Sequence, residues 1–389
     1  GVCGRGSESV GGNVQMIYLL LTWLCWPFVK LISRSPSAVP ARILVIQRAK
    51  IGDAICSTPV FRSLRVQFPN AEIDVLAGPA AKDILKTNPH LSRVEVWTDP
   101  DLAGWRGKWR LVDMLRNRRY DIVLCLNVGL IYPLACFWAG IPLRYAVRPN
   151  FLGTTYRLAS GLWTAMEAHD GRRLIGDTYA ALLRRAGVQN INLSKEVFPA
   201  PKASSKVDAF LRDSHHPRIG IGVGAGNKLK ALGPEMLGNI LAGLFEARPD
   251  SVPVLIGTSG DRELAKGLIA QFPDRLVLNA CGYFALDEMP ALLQRVDAYL
   301  GVDSGITYMA DALGIPLVSV AGPCNMQETR PTGPNAVVIQ KFPPCAPCAH
   351  IFRAPYRCAT GDLACLHSIR ADEVVDALCN LLPMIDNGS

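Results

Sequence analysis

The sequence has few of the features that nucleic-acid-binding proteins share. Aromatic residues make up only 7% of the 389 residues, and they do not alternate with basic residues as a base-stacking platform requires. No stretch resembles the sequence signature of a common nucleic-acid-binding module. We therefore expect no nucleic acid among the partners of this protein.

The sequence also lacks the fingerprint of a dinucleotide-binding turn. Gly220, Gly222, Gly224 and Gly226 form a glycine-rich stretch, but neither their spacing nor their context matches the G-x-G-x-x-G pattern. This mismatch argues against NAD as a cofactor.

The apolar segment near the N-terminus is shorter than a membrane-spanning helix, which needs about 20 residues. It covers Met16–Ile32, and Pro27 interrupts it. Trp23 and Trp26 lie inside it, and tryptophan is typical of membrane–water interfaces. We predict a membrane-surface anchor with the body of the protein on the cytoplasmic side. A spanning helix, or a secretory signal that ends near residues 37–41, remains an alternative.

Charged residues are scarce as well, at 19% of the chain against 49% hydrophobic residues, which indicates a globular protein. A chain of 389 residues is long for one domain and typical of two. We predict an N-terminal extension over residues 1–40, a first domain over 41–200 and a second domain over 201–389. Residues 198–206, rich in Pro, Ala and Ser, are the predicted linker.

The charge is distributed unevenly between the two halves. Residues 1–200 contain 25 Lys and Arg against 14 Asp and Glu, a net charge of +11, whereas residues 201–389 contain 16 against 19, a net charge of −3. A basic first half predicts an anionic partner. An anionic lipid and a phosphorylated glycan both fit this prediction better than nucleic acid does.

From Arg42 onward, short apolar runs alternate with amphipathic stretches. The predicted strands are Ile43–Ile46, Glu72–Ala77, Val94–Trp97, Asp121–Leu126, Arg218–Val223, Val252–Ile256, Leu276–Leu278, Ala298–Val302 and Leu317–Val320. Helical patterns separate most of these strands, and strands that alternate with helices form parallel sheets with right-handed crossovers. The predicted fold class is therefore α/β.

The stretch after the first predicted strand has a possible catalytic carboxylate. Arg48 and Lys50 lie in a polar turn, Gly52 and Asp53 follow, and a helical pattern comes next. Ligands of open α/β folds bind at the carboxyl ends of strands, so Asp53 lies where chemistry can occur. The alternative is that Asp53 only caps the following helix.

Three turns in the second half indicate a ligand site. They are the segments 224–230, which contains Lys228 and Lys230, 257–261, which ends in Asp261, and 303–305, which is Asp303, Ser304 and Gly305. A glycine turn after a strand lets backbone N–H groups approach a phosphate, and lysine adds positive charge. Because all three turns follow strands of one predicted sheet, we expect them to meet in one cleft.

Cysteine is plentiful, with 12 residues in the chain. Cys345, Cys348, Cys358 and Cys365 are concentrated near the C-terminus, and four thiolates suit zinc. The spacing leaves a structural metal and free thiols both open. Others, such as Cys56, lie in apolar runs and are predicted to be buried and reduced.

At this point the sequence resembles a known family. The blocks that carry the resemblance are ILVIQRAKIGDAICSTPVFRSLR, PNAEIDVLAGP, NPHLSRVEVW, LRNRRYDIVLCLN, VGAGNKLKALGPE, IGTSGDRELAK and YLGVDSGITYMADALGIPLVSVAGP. In this order, over roughly Arg42 to Leu378, they resemble the ADP-heptose:lipopolysaccharide heptosyltransferases of glycosyltransferase family 9.

The resemblance implies a GT-B architecture, in which two Rossmann-like domains face each other across a cleft. The first domain would bind the acceptor and the second the nucleotide sugar. It also implies transfer of heptose from ADP-heptose with inversion, with no metal and no cofactor, to an anionic glycolipid of the lipopolysaccharide inner core. The expected location is the cytoplasmic face of the inner membrane, with the protein peripheral or held by its N-terminus.

The resemblance further implies roles for single residues. Asp53 would be the general base, with Arg48, Lys50 and Gly52 beside it on the acceptor side. Lys230 would neutralise the diphosphate. The remaining donor-binding residues would be Gly224, Gly226, Asp261, Asp303, Ser304, Gly305 and Thr307.

Four residues at three sites depart from the family pattern, and all lie on the donor side. Tyr308 stands where the family usually has His, and Cys324-Asn325 stand where it has a Thr-Asp pair. The family also has an aromatic residue at or near the position of Leu232. Two alternative functions therefore stay open. One is the same fold with another nucleotide sugar, in O-antigen or capsule assembly, and the other is a non-catalytic nucleotide- or glycan-binding module.

Overall fold

The computed structural model describes residues 7–32, 34–150 and 153–383, with the backbone alone for residues 7–15 and 30–32. The strands are β1 Arg42–Gln47, β2 Glu72–Ala77, β3 Arg93–Val96, β4 Ile122–Cys125, β5 Leu143–Arg148, β6 Ala165–Ala168, β7 Arg218–Gly222, β8 Val252–Ile256, β9 Leu278–Asn279, β10 Ala298–Val302, β11 Leu317–Ala321 and β12 Ala336–Gln340. The helices are α1 Ser7–Ile32, α2 Ile51–Cys56, α3 Thr58–Gln67, α4 Lys82–Leu85, α5 Gly104–Arg118, α6 Ile131–Trp138, α7 Thr154–Ser160, α8 Ile175–Arg185, α9 Ala203–Phe210, α10 Pro234–Ala247, α11 Arg262–Ile269, α12 Met289–Leu293, α13 Gly305–Ala312, α14 Ala364–His367 and α15 Ala371–Cys379.

The strands form two six-stranded sheets. The first has the order β3-β2-β1-β4-β5-β6 and the second the order β12-β11-β10-β7-β8-β9. All the described strand pairs are parallel. Read from the opposite edge, the second sheet has the order β9-β8-β7-β10-β11-β12. This corresponds strand by strand to the first sheet, and both have the order of the doubly wound Rossmann fold. The predicted α/β class is confirmed.

The central strands are buried on both faces because helices cover both sides of each sheet. Strands β4, β8, β10 and β11 are buried at every residue. This is why their sequences are almost continuous apolar runs rather than alternating ones. The same feature made them the easiest strands to predict.

Three strands were missed by the sequence prediction. They are β5, β6 and β12, so one more strand follows Leu317–Val320, which ends the series of predicted strands. β6 and β12 are edge strands, and their residues are only partly buried apart from exposed Ala168. The sequence of β6, AMEA, has only a weak apolar signal, as is usual for a strand that is not buried throughout. The sequence of β12, AVVIQ, is an apolar run that the prediction overlooked.

The chain divides into two compact units. The first comprises Gly1–Lys50 and Pro59–Leu193, and the second comprises Ile51–Thr58 and Ser194–Ser389. Each unit contains one of the two sheets. The short segment with α2 therefore packs with the second unit, although it directly follows the first strand of the first unit.

Helix α1 is part of the first unit. Leu19 and Val29 are buried against Phe137, Ala159 and Leu162. The helix starts at Ser7, nine residues before the predicted apolar segment. In the described parts of the chain, none of the helices has the combined length and apolar character of a bilayer-spanning segment.

A buried hydrogen bond joins β2 to the turn between α5 and β4 in the first unit. The Tyr120 hydroxyl donates to Asp74 Oδ2 on β2 over 2.8 Å, and Asp74 is 2% exposed. Burial raises the pKa of Asp74, while the bond from Tyr120 and the nearby Arg118 and Arg93 partly oppose that rise. The pKa of Asp74 in the folded protein is therefore higher than the unfolded value of about 3.9. As the pH rises from about 3.9 through the folded pKa, ionisation of this carboxyl lowers the free energy of unfolding.

We expect Tyr120→Phe to lower the free energy of unfolding at pH 7 by about 1–3 kcal/mol, because a buried acceptor loses its donor. The loss should be smaller at pH 4, where more of Asp74 is protonated. Urea titrations at both pH values measure the difference. Tyr145→Phe is the matched control, since Tyr145 on β5 is also buried and burial alone raises the pKa of its hydroxyl. Equal losses for the two variants would contradict this account.

Candidate functional site

The three predicted turns lie at one edge of the second sheet. Strand β7 ends at Gly222, β8 at Ile256 and β10 at Val302, and these strands are neighbours in the order β10-β7-β8. Because the strands are parallel, their carboxyl ends meet at the same edge. The turns that follow them therefore form one surface, as expected for the binding edge of an α/β sheet.

An ion pair between Lys230 and Asp303 joins two of these turns. Lys230 Nζ donates to Asp303 Oδ2 over 2.5 Å, and the side chains are 20% and 9% exposed. Burial lowers the pKa of Lys230, but the Asp303 carboxylate outweighs that effect and holds this pKa above its usual value. Burial likewise raises the pKa of Asp303, but Lys230 and further donors outweigh it, so this pKa is lowered. Both groups are charged at neutral pH.

Two residues that depart from the family pattern lie directly at this pair. The Tyr308 hydroxyl donates to Asp303 Oδ1 over 2.7 Å. The Cys324 thiol, buried at 3% exposure, neighbours both charged groups, and burial together with Asp303 raises its pKa. Asp303 is therefore bonded through both carboxylate oxygens. The family resemblance marks Tyr308 and Cys324 only as departures from its pattern, and the structure shows what they contact.

The N-terminus of α13 follows Asp303 immediately. Ser304 is its N-cap residue, in an extended conformation, and its hydroxyl lies 3.2 Å from Thr307 Oγ1. Thr307 is fully buried, and its hydroxyl donates to the Val302 carbonyl over 2.5 Å. The Thr307 side chain thus fastens the turn to β10. The first N–H groups of the helix remain as donors for an anion.

Asp261 and Gly224 are in close contact. Asp261 Oδ2 accepts hydrogen bonds from the Thr258 N–H over 2.7 Å and from the Thr258 hydroxyl over 2.6 Å. A Cβ atom on residue 224 would lie 2.6 Å from Asp261 Oδ1, so only glycine allows this approach. Gly226 differs, because a Cβ atom there would meet nothing within 4 Å.

Asp53 lies in the first turn of α2, which packs within the second unit. The helix starts at Ile51, so Asp53 is not its N-cap residue. A Cβ atom on residue 52 would lie 3.1 Å from the Tyr308 ring, and one on residue 305 would lie 2.6 Å from Ile51 Cγ2. Glycine at both positions thus lets α2 and α13 approach closely.

The carboxylates of Asp53 and Asp303 both act on one buried thiol. Burial raises the pKa of Cys56 to about 12, Lys195 opposes the rise, and Asp53, Asp303 and Asp311 add to it. Cys56 is therefore buried, as predicted from its apolar surroundings, and a buried thiol with a raised pKa is a poor nucleophile. The carboxylates of Asp53 and Asp303 thus both lie near enough to this thiol to raise its pKa.

The remaining predicted acceptor residues, Arg48 and Lys50, belong to the first unit. The Arg48 guanidinium donates to the Trp97 carbonyl over 3.0 Å, the Tyr132 hydroxyl over 3.1 Å and Asp99 Oδ1 over 2.8 Å. These contacts fix its position. Lys50 is exposed at the end of the turn.

The four C-terminal cysteines differ in exposure. Cys345 and Cys348 are exposed, Cys358 is half-buried and Cys365 is buried. Burial raises the pKa values of Cys348 and Cys365, and the neighbouring cysteines add to both shifts. Among the described residues, no group of three or more His, Cys, Asp or Glu side chains is arranged to hold a metal ion.

Known proteins resemble this chain over most of its length. The sequence profile of glycosyltransferase family 9 (heptosyltransferase) matches residues 108–354. Lipopolysaccharide heptosyltransferase 2 of Escherichia coli strain K12 is 27% identical over 318 residues, which is 77% of this chain and 88% of that protein.

Two solved structures share the fold. The E. coli ADP-heptose lps heptosyltransferase II structure has a TM-score of 0.68 at 23% identity, and the match covers 87% of this chain and 98% of that one. The E. coli heptosyltransferase WaaC with ADP-2-deoxy-2-fluoro heptose has a TM-score of 0.62 at 16% identity, with 86% and 98% covered. Together with the two Rossmann-like sheets, these matches confirm the predicted GT-B architecture.

The ion pair gives a stability prediction. Lys230→Met leaves Asp303 buried without its cation, so we expect the free energy of unfolding to fall by about 3–5 kcal/mol at pH 7. Lys228→Met is the matched control, because Lys228 is exposed in the same turn and should cost less than about 0.5 kcal/mol.

The pH dependence should also change sign in the Lys230 variant. In the unaltered protein the pKa of Asp303 is lower when folded than when unfolded, where it is near 3.9. The ionised carboxylate therefore stabilises the fold above pH 3.9, and this stabilisation is lost as the pH falls through the pKa of the folded state. Without Lys230 the pKa of Asp303 rises, so acidification from pH 7 to pH 5 should partly restore stability. Urea titrations measure both effects, and equal stability of the two methionine variants would refute the role of the pair.

Proposed function

This chain belongs to glycosyltransferase family 9, the heptosyltransferase family, and we propose that it transfers heptose from ADP-heptose to an anionic glycolipid of the lipopolysaccharide inner core. That it is a glycosyltransferase follows from the family. The donor, the acceptor, the inverting course and the residue roles are our proposals. The observation that carries them is the grouping of Lys230, Asp303 and the start of α13 at one sheet edge.

The donor diphosphate binds at this edge in our proposal. Its negative charge grows as the bond to the sugar breaks, and it needs positive charge at that moment. Lys230 supplies a full positive charge, and the N–H groups at the start of α13 supply further donors. The diphosphate competes with Asp303 for Lys230, while Asp303 keeps the ammonium group in place before the donor arrives. Gly224, Gly226 and Asp261 line the neighbouring turns.

Asp53 is the general base of the proposed reaction. The acceptor hydroxyl attacks the anomeric carbon from the face opposite the diphosphate, its proton passes to the Asp53 carboxylate, and the diphosphate leaves with the bonding electrons. One displacement of this kind inverts the anomeric centre. The packing of α2 on α13 supports this role, because it ties Asp53 to the elements that carry the donor residues.

The reaction as proposed needs no metal ion and no cofactor. In this family member the positive charge on the leaving group would come from Lys230 and the helix N-terminus. The relative heptosyltransferase WaaC has been solved with ADP-2-deoxy-2-fluoro heptose, and we extend an ADP-sugar donor to this chain as part of the proposal.

The acceptor side of the proposal rests on charge. The first 200 residues have a net charge of +11, which suits a glycan that bears phosphates and acidic sugars. Arg48, Lys50 and Gly52 are the proposed acceptor contacts. Helix α1 would hold the protein at the cytoplasmic face of the inner membrane, where a lipid-linked acceptor is presented.

Replacement of Asp53 tests the proposed base. We expect Asp53→Asn to lower kcat by about 10²–10⁴-fold, the usual contribution of a general base, with ADP affinity within a few-fold of the unaltered protein. ADP release with ADP-heptose and a lipid A–Kdo acceptor measures the rate, and calorimetry measures the affinity. Asp274→Asn, at an exposed carboxylate of the second unit, is the control. Substantial turnover by the Asp53 variant would remove Asp53 from the role of base.

A second candidate is the same reaction with another nucleotide sugar. Tyr308 and Cys324, which replace the usual family residues, touch the Lys230–Asp303 pair directly, and this is the observation that favours it.

A thermal-shift series with ADP, UDP, GDP and TDP separates the two donors. With all four nucleotides at the same concentration, we expect ADP to stabilise the protein most. At 100 times the Kd of ADP, the free energy of unfolding should rise by about 2.7 kcal/mol. A larger shift with one of the other diphosphates would replace ADP-heptose with a sugar carried by that nucleotide.

A further inference from the structure

Helix α1 uses only part of its surface to pack on the first unit. Leu19 is 1% exposed and Val29 is 4% exposed, and Trp138 Nε1 donates to Thr22 Oγ1 over 2.9 Å. These contacts fix the orientation of the helix. They also determine which of its side chains face outward.

The outward side of α1 is strongly apolar. Leu20 is 63% exposed, Leu24 74% and Phe28 70%, and Ile17 and Leu21 are each at least half exposed. Monomeric soluble proteins rarely expose a contiguous apolar patch of this kind unless it binds something. We call these five residues the outer face of α1.

A cavity of about 520 Å³ lies between α1, α5 and α6, directly beside this outer face. Six of the side chains that line it are Tyr18, Leu21, Cys25, Trp109, Leu134 and Trp138. Leu21 belongs to both the outer face and the cavity, so the two apolar surfaces are continuous. We call this cavity the α1 groove.

Basic and aromatic side chains of α5 border the groove. Trp105 is 59% exposed and Trp109 is 48% exposed. Arg106 lies over the Trp105 ring at 5.4 Å, and Lys108 lies 6.0 Å from the Tyr18 ring. Exposed indoles next to Arg and Lys are typical of surfaces at the level of lipid headgroups.

The lining and the position of the groove decide what kind of apolar group fits it. Lys108 is the one charged side chain among the residues that line it, and the others are mostly apolar or aromatic. A hydrocarbon chain matches such a lining because it has no polar group that needs a partner. The groove opens beside the outer face of α1, so a bilayer under that face would present acyl chains at its mouth, and we take one acyl chain as the occupant.

We propose that the α1 groove binds one acyl chain of an anionic phospholipid in the bilayer on which the outer face of α1 rests. Arg106 and Lys108 then lie near the lipid headgroup, and the net charge of +11 on residues 1–200 favours an anionic membrane. The proposal deepens the proposed function, because it rests on the same placement of the protein at a membrane surface.

Thiol protection in the full-length protein tests the groove. Cys25 lines it, and exposed Cys345 in the second unit is the internal reference. The protein is treated with N-ethylmaleimide in the presence of two kinds of vesicle, pure phosphatidylcholine and phosphatidylcholine mixed with phosphatidylglycerol. Peptide mass spectrometry measures the rate at which each cysteine is modified. We expect phosphatidylglycerol vesicles to slow Cys25 modification at least tenfold and to leave Cys345 within twofold.

A pair of leucine variants provides the control. Leu21, in the groove, and Leu276, in the second unit, have similar exposures of 50% and 43%. We expect Leu21→Arg to abolish the protection of Cys25, whereas Leu276→Arg should retain it. Circular dichroism checks that both variants fold.

Three results would overturn the proposal. The first is a lack of vesicle binding in a flotation assay. The second is vesicle binding with unchanged Cys25 reactivity, which would mean adsorption without an inserted chain. The third is protection that depends on protein concentration and not on lipid, which would mean that a second copy covers the groove.

The transfer proposal is tested separately on the same samples by ADP release. Protection of Cys25 without transfer would refute the proposed function but support acyl-chain binding in the α1 groove. Transfer without protection of Cys25 would support the proposed function but refute acyl-chain binding.

Discussion

The buried ion pair between Lys230 and Asp303 constrains the whole donor edge of the second sheet. A carboxylate that is 9% exposed requires compensation, because an unpaired charge in that position would destabilise the fold by several kcal/mol. Lys230, Tyr308 and the Cys324 thiol provide that compensation. Each comes from a different segment, so the turn after β7, helix α13 and the segment after β11 are held in one arrangement.

Close glycine contacts extend this arrangement to α2. Gly52 lies against the Tyr308 ring, and Gly305 lies against Ile51. A side chain at either glycine would separate the helices or displace Tyr308 from Asp303. The carboxylate proposed as the base and the lysine proposed to receive the diphosphate therefore depend on the same packing. This explains in physical terms why α2 groups with the second unit although it follows β1 in sequence.

Much of the fold could be predicted because buried parallel strands have distinctive sequences. Three predictions, Glu72–Ala77, Val252–Ile256 and Ala298–Val302, match the strand bounds in the structure. The edge strand β6 was missed because its sequence, AMEA, is short and only weakly apolar, whereas the apolar run AVVIQ of β12 was overlooked. The grouping of the turns at 224–230, 257–261 and 303–305 was predictable from topology alone. The pairing of Lys230 with Asp303 was not, because the sequence does not specify which cation faces which carboxylate.

The most direct measurement is a crystal structure of the protein with ADP. We expect a diphosphate oxygen to lie within hydrogen-bonding distance of Lys230 Nζ and of the first N–H groups of α13, with Asp303 still bonded to Tyr308. A diphosphate bound elsewhere on the second unit, with the Lys230–Asp303 pair unchanged and away from it, would contradict the account.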